Sequence, residues 1–90
     1  MDEPGLPLIF LVDDDDLFRE SVAQNLQDAG FVVQEFPAGP DVLQALGAGG
    51  APGLILLAWQ MPRMNGIEVL KQLRQDGCEL AVIFLTDLSD

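Results

Sequence analysis

The chain has 90 residues, 49% of them hydrophobic and six aromatic (Phe10, Phe18, Phe31, Phe36, Phe84 and Trp59), which suffices for the core of one small domain and leaves no room for a second. Fifteen acids against Arg19, Arg63, Lys71 and Arg74 give a net charge of −11, so cations and basic protein surfaces are the expected partners, and direct contact with nucleic acid or an anionic membrane is not expected. Histidine is absent and Cys78 is single, which excludes His-based catalysis, a His-ligated metal and an internal disulfide.

Leu6 to Val12 is a nearly continuous apolar run, the pattern of a strand covered on both faces in a parallel sheet. It ends in Asp13 and Asp14. From Leu17 to Ala29, Phe18, Val22 and Leu26 recur at four-residue spacing, with Asp15 and Asp16 at the positive end of the helix dipole and Gly30 as a stop signal. Phe31 to Phe36 mixes polar with apolar positions and reads as an edge strand. Gly39-Pro40 starts a short helix to Leu46, which runs out into the flexible Gly47-Ala48-Gly49-Gly50. The glycines from Gly47 to Gly53 lack the Lys-Ser or Lys-Thr of a phosphate-binding loop and read as a connector.

Leu54 to Ala58 is a second buried strand. Asn65, with Glu68 three residues on, caps a helix whose expected apolar stripe is Ile67, Leu70 and Leu73 and whose end is Gly77. Cys78 in the following turn reads as an incidental thiol. Leu80 to Leu85 is the last strand, with Thr86 at its end. Strands alternating with helices through short connections predict a right-handed doubly wound α/β parallel sheet, in which ligands bind beyond the carboxyl ends of the strands. Asp13, Asp14, Ala58 and Thr86 all stand at such ends. No apolar run approaches the roughly 20 residues of a membrane span and the N-terminus is acidic, so a cytoplasmic protein without a signal peptide is expected.

Two carboxylates about 4 Å apart repel by roughly 4 kcal/mol at a near-surface dielectric, so Asp13 and Asp14 call for solvation, protonation or a hard cation such as Mg²⁺. An acidic first helical turn is the plainer explanation. Their position directly after an apolar strand favours the cation pocket. Where a third carboxylate would complete it, the sequence has Ala58.

Val12-Asp13-Asp14-Asp15, the stretch Leu56-Leu57-Ala58-Trp59-Gln60-Met61-Pro62-Arg63-Met64-Asn65-Gly66, and Phe84-Leu85-Thr86 together resemble the receiver domain of two-component response regulators, the chemotaxis-regulator-like fold, across essentially the whole chain. The resemblance implies flavodoxin-like strand order 2-1-3-4, with the fifth strand and last helices absent, so that residues 1–90 are a receiver cut short after its fourth strand. It implies that an aspartate at the position of Ala58 takes a phosphoryl group from a phosphohistidine on a sensor histidine kinase or phosphotransfer protein. Asp14 would bind Mg²⁺ directly and Asp13 directly or through water, with the backbone carbonyl of Gln60 as a further ligand. Thr86 would be the switch residue, and Trp59, Met61, Pro62 and Gly66 would shape the acceptor loop. A transcriptional output is implied in the same way.

The departures carry as much as the match. Ala58 has no oxygen, so it can neither form an acyl phosphate nor hold a metal. The lysine and aromatic residue of a fifth strand are missing too. Three origins fit Ala58: a substitution introduced to abolish phosphorylation, a receiver that has lost its acceptor, or no functional relation to receivers. The expected protein is a signalling module rather than an enzyme. A Mg²⁺-dependent phosphohydrolase would lack both its nucleophile and a lysine, and Asp87 is poorly placed to substitute. The alternative is a phosphate-independent dimerisation or docking module. Ala81 to Leu85 is too apolar for a bare sheet edge, so either more of a longer receiver or a second copy in a homodimer or strand-swapped dimer is expected to cover it. Trp59 is expected half exposed beside the pocket, with Met61 and Met64 filling space over the sheet.

Overall fold

Two continuous apolar runs become the centre of a four-stranded parallel sheet in the computed structural model, which describes residues 8–85. The elements run β1 (Leu8–Val12), α1 (Asp16–Asp28), β2 (Val32–Phe36), α2 (Gly39–Gly47), β3 (Leu54–Ala58), α3 (Gly66–Gln75) and β4 (Val82–Leu85). Strand order is β2-β1-β3-β4, with every neighbouring pair parallel. Each crossover carries a helix, so β1 and β3 are covered on both faces, and Leu11, Val12, Ile55 and Leu57 are fully buried. Burial of each such side chain contributes about 1.5–3 kcal/mol.

Alternation along the strands divides the core in two. Phe10, Val12, Ile55 and Leu57 face α2 and α3 and pack with Val42, Val69 and Leu73. Ile9, Leu11 and Leu56 face α1 and pack with Ala23. β2 buries only Phe36, whose ring meets Phe10 edge-to-face at 4.9 Å, so the edge-strand expectation holds. β4 is the other edge among the described residues, and its Ile83 is 53% exposed.

The helices form where their caps and glycines predict, yet turn different faces to the sheet. Four-residue steps drift by about 40° each, so Phe18, Val22 and Leu26 spread over about 80° of the helix, and the sheet meets the Val22, Ala23 and Leu26 side of that spread. Ala23 is the buried residue of α1, Val22 and Leu26 are half-buried, and Phe18 is exposed together with Leu17. On α3 the buried line is Gly66, Val69 and Leu73, while Ile67 and Leu70 stay half-buried. Val69 wins its place because α2 passes close by: a Cβ on Gly39 would stand 2.6 Å from Val69 Cγ2. No helix among the described residues is long and apolar enough to cross a membrane.

Candidate functional site

Parallel pairing brings the ends of β1 and β3 side by side. Val12 is in register with Phe36 on one side and Leu57 on the other, so Asp13 and Ala58 are the next residues on adjacent strands, about 4.8 Å apart at the backbone. The Asp13 amide continues the ladder by donating to the Phe36 carbonyl at 3.1 Å. The residue is 7% exposed, and its Oδ1 accepts from the Asp15 amide at 2.8 Å. Asp15 in turn caps α1, its Oδ1 accepting from the Phe18 amide at 3.1 Å. The acidic run thus divides its roles: Asp15 serves the helix as the plainer reading expects, Asp13 stands at the buried strand end, and Asp14 is exposed between them.

Burial is the main cause that pushes the Asp13 carboxyl above its ordinary range; the Asp15 amide opposes it, the Asp14 and Asp15 charges add to it, and Arg19 opposes it.

Ala58 is 5% exposed and touches the same cluster as Met61 and Val69. The chain after it is held tightly. The Trp59 amide donates to the Leu85 carbonyl at 3.1 Å, and the Trp59 carbonyl accepts from the Gly66 amide at 3.0 Å. Gly66 lies so close to the strand end that a Cβ there would come within 2.5 Å of the Ala58 carbonyl oxygen and 2.8 Å of Phe84 Cε1. Trp59 is 45% exposed and meets Phe84 edge-to-face at 5.0 Å. Met61 is buried and Met64 packs on the same cluster, while Gln60 and Pro62 are exposed. Arg63 takes φ 71, left-handed backbone in a tight turn whose Met64 amide donates to the Pro62 carbonyl at 2.7 Å. Thr86 and Asp87 lie outside the described residues.

Arg19 is the site residue that periodicity does not reveal. Its Nη1 donates to the Asp13 carbonyl at 2.7 Å, its Nε to Glu35 at 3.0 Å, and its Nη2 pairs with Asp16 at 2.8 Å. The available signal was its being the sole base before Arg63. A cavity of about 260 Å³, lined by Leu43, Leu46, Leu73, Asp76, Cys78 and Leu80 among others, lies beside the loops leading into β3 and β4 and shares no residue with the acidic site.

Among the described residues no three His, Cys, Asp or Glu side chains gather to hold a metal ion. Carboxylates are the donors a hard cation that keeps several of its waters prefers, and the Asp13–Asp14 pair offers one fewer than a three-acid site.

A parallel sheet in the order β2-β1-β3-β4, with acids at its carboxyl edge and a tight loop after its central strand, is the doubly wound, flavodoxin-like class of domain, in which ligands bind beyond the carboxyl ends of the strands. The chain belongs to the response regulator receiver family, whose model, described as "Response regulator receiver domain", matches residues 9–90. It is 37% identical over 78 residues to response regulator MprA of Mycobacterium ulcerans, covering 87% of this chain and 33% of that protein. The match to response regulator MprA of Mycobacterium avium is 37% identical over the same length and covers 34% of that protein, so the chain spans about a third of these curated relatives. Among solved structures it resembles the receiver domain of Francisella response regulator 1452, with TM-score 0.84 and 25% identity, over 93% of this chain and 69% of that one. It also resembles response regulator TrrA of Thermotoga maritima, solved in complex with Mg(2+)-BeF, with TM-score 0.85 and 28% identity, over 93% and 72% of the two chains.

Proposed function

We propose that this chain is the receiver module of a two-component response regulator and that it cannot be phosphorylated at the usual position. The observation that carries the proposal is Ala58: a buried methyl group occupies the end of β3 beside Asp13, where a receiver needs a carboxylate nucleophile. Asp13, Asp14 and the Gln60 carbonyl are the groups that would hold Mg²⁺. When bound, the ion supplies positive charge opposite the phosphoryl oxygens. This chain's own residues then do the positioning: Gly66 lets α3 abut the strand end, Met61 closes the floor of the loop, and Pro62 and Trp59 line its rim, with Thr86 as the switch residue. The module acts as a signalling partner of a histidine kinase or phosphotransfer protein in the cytoplasm, not as an enzyme. We read residues 1–90 as the first four strands of a longer receiver serving a transcriptional output. The coverage of 69% and 72% of the matched receivers and the apolar exposure of Ile83 support that reading.

The test is transfer from a radiolabelled phosphohistidine donor in the presence of Mg²⁺. No label is expected on the chain as it stands, and a hydroxylamine-sensitive label is expected when Ala58→Asp is placed in a full-length regulator. Label on the Ala58 form refutes the proposal.

One observation favours a second reading, a phosphate-independent docking or dimerisation module. β4 ends the sheet among the described residues with Ile83 53% exposed, an edge that invites another strand. Sedimentation across a concentration series distinguishes the two: the docking reading expects dimers that Ile83→Lys disperses, and a monomer at every concentration removes it.

A further inference from the structure

We propose that Arg19 is the positioning residue of the acid pair: its guanidinium sets the peptide between Asp13 and Asp14 so that the two carboxylates stand together as a cation site. The inference rests on the Mg²⁺ reading of that pair given above. Arg19 is the only basic residue in the first 62 positions and stands within the acidic run Asp13 to Glu20. Its side chain is 11% exposed, and every nitrogen of the guanidinium is engaged on a different element. Nε meets Glu35 of β2 at 3.0 Å, Nη2 meets Asp16 of α1 at 2.8 Å, and Nη1 donates to the Asp13 carbonyl at 2.7 Å.

That last contact decides the role. The carbonyl belongs to the peptide joining Asp13 to Asp14, so holding its oxygen fixes the rotation that sets the angle between the two side chains. The rest of Asp13 is pinned as well, its amide to the Phe36 carbonyl at 3.1 Å and its Oδ1 to the Asp15 amide at 2.8 Å. Among the described residues, Arg19 is the side chain that restrains the far side of this residue. A planar fork can reach three acceptors at once, whereas a lysine ammonium on a flexible stem cannot hold the same arrangement.

The sign of the effect separates positioning from bulk electrostatics. Arg19 is a cation beside a cation site, so by charge alone its removal should tighten Mg²⁺ binding. As a positioning residue its loss should weaken binding, by about tenfold, as is usual when an outer partner of a metal ligand is removed. The experiment is calorimetric titration of MgCl2 into the chain and into its Ala58→Asp form, each with Arg19, Arg19→Gln and Arg19→Lys, with thermal melts to establish that each variant is folded at the titration temperature. Weaker binding in both Arg19 variants is expected. Arg19→Lys keeps the charge and stays informative if Arg19→Gln does not fold. Unchanged or tighter Mg²⁺ binding in a folded variant overturns the role of Arg19 and leaves the site reading intact. Absence of Mg²⁺ binding in both parent chains overturns the site reading and the positioning role with it.

Discussion

Placing a carboxylate at Ala58 tests the arrangement of the site more directly than any deletion. Ala58 is 5% exposed and Asp13 7% exposed, on adjacent strand ends. Two like charges held apart by about the strand spacing of 4.8 Å repel by about 3.5 kcal/mol at an effective dielectric of 20. Asp13 already resists ionisation through burial, so Ala58→Asp pushes it further in the same direction and part of the repulsion is relieved by protonation. Without metal, near neutral pH, the variant should lose about 2–3 kcal/mol of stability, which for a domain of this size lowers the melting temperature by roughly 8–24 °C. Mg²⁺ at about a hundred times its dissociation constant returns about 2.7 kcal/mol through mass action and should recover most of that loss. The chain as it stands, with one carboxylate fewer, should respond much less. Circular-dichroism melts of both proteins in chelator and in about 10 mM MgCl2 read all four states. If Ala58→Asp melts like its parent in chelator, or if Mg²⁺ shifts the two equally, position 58 does not share a cleft with Asp13.

Three further outcomes follow from named contacts. The Asp13 carboxyl has a folded-state pKa raised above its ordinary 3.8, chiefly by burial, so the folded chain keeps this proton at pH values where the unfolded chain has lost it. Its contribution to stability therefore falls as pH rises from that ordinary value through the raised one, and the deficit persists at neutral pH. Asp13→Asn keeps an oxygen for the Asp15 amide and should melt higher than the parent near neutral pH in chelator; a lower melting point there contradicts the burial account. Gly66→Ala drives a Cβ to 2.5 Å from the Ala58 carbonyl oxygen and should cost about 1–3 kcal/mol in urea unfolding, despite alanine's better helix propensity. Asn65→Ala removes the acceptor for the Glu68 amide at 2.9 Å, one half of a reciprocal cap, and should cost about 1 kcal/mol by the same measurement.

Much of this fold is legible because its signals are local. The Asn65–Glu68 cap closes within one helical turn, and both of its hydrogen bonds form as the spacing requires. Gly30 and Gly77 follow their helices with φ of +100 and +84, conformations that favour glycine. The buried runs from Leu8 and from Leu54 lack polar alternation, and they become the two strands covered on both faces. The parallel order β2-β1-β3-β4 is as expected, but the buried face of a helix was less legible. The α3 stripe includes Val69 in place of Ile67 because α2, packed through Gly39, chooses which residue of α3 is enclosed.

By itself the amino-acid sequence determined the order of strands and helices, the caps between them, and which residues stand at strand ends, because each depends on neighbours a few positions apart. Tertiary structure alone decided that Asp13 is the buried acid of its run, that its strand end is the one in register beside Ala58, and that Arg19 ties it to β2. Those facts come from register across the sheet and from desolvation, both of which join residues distant in the chain and leave no periodic trace along it.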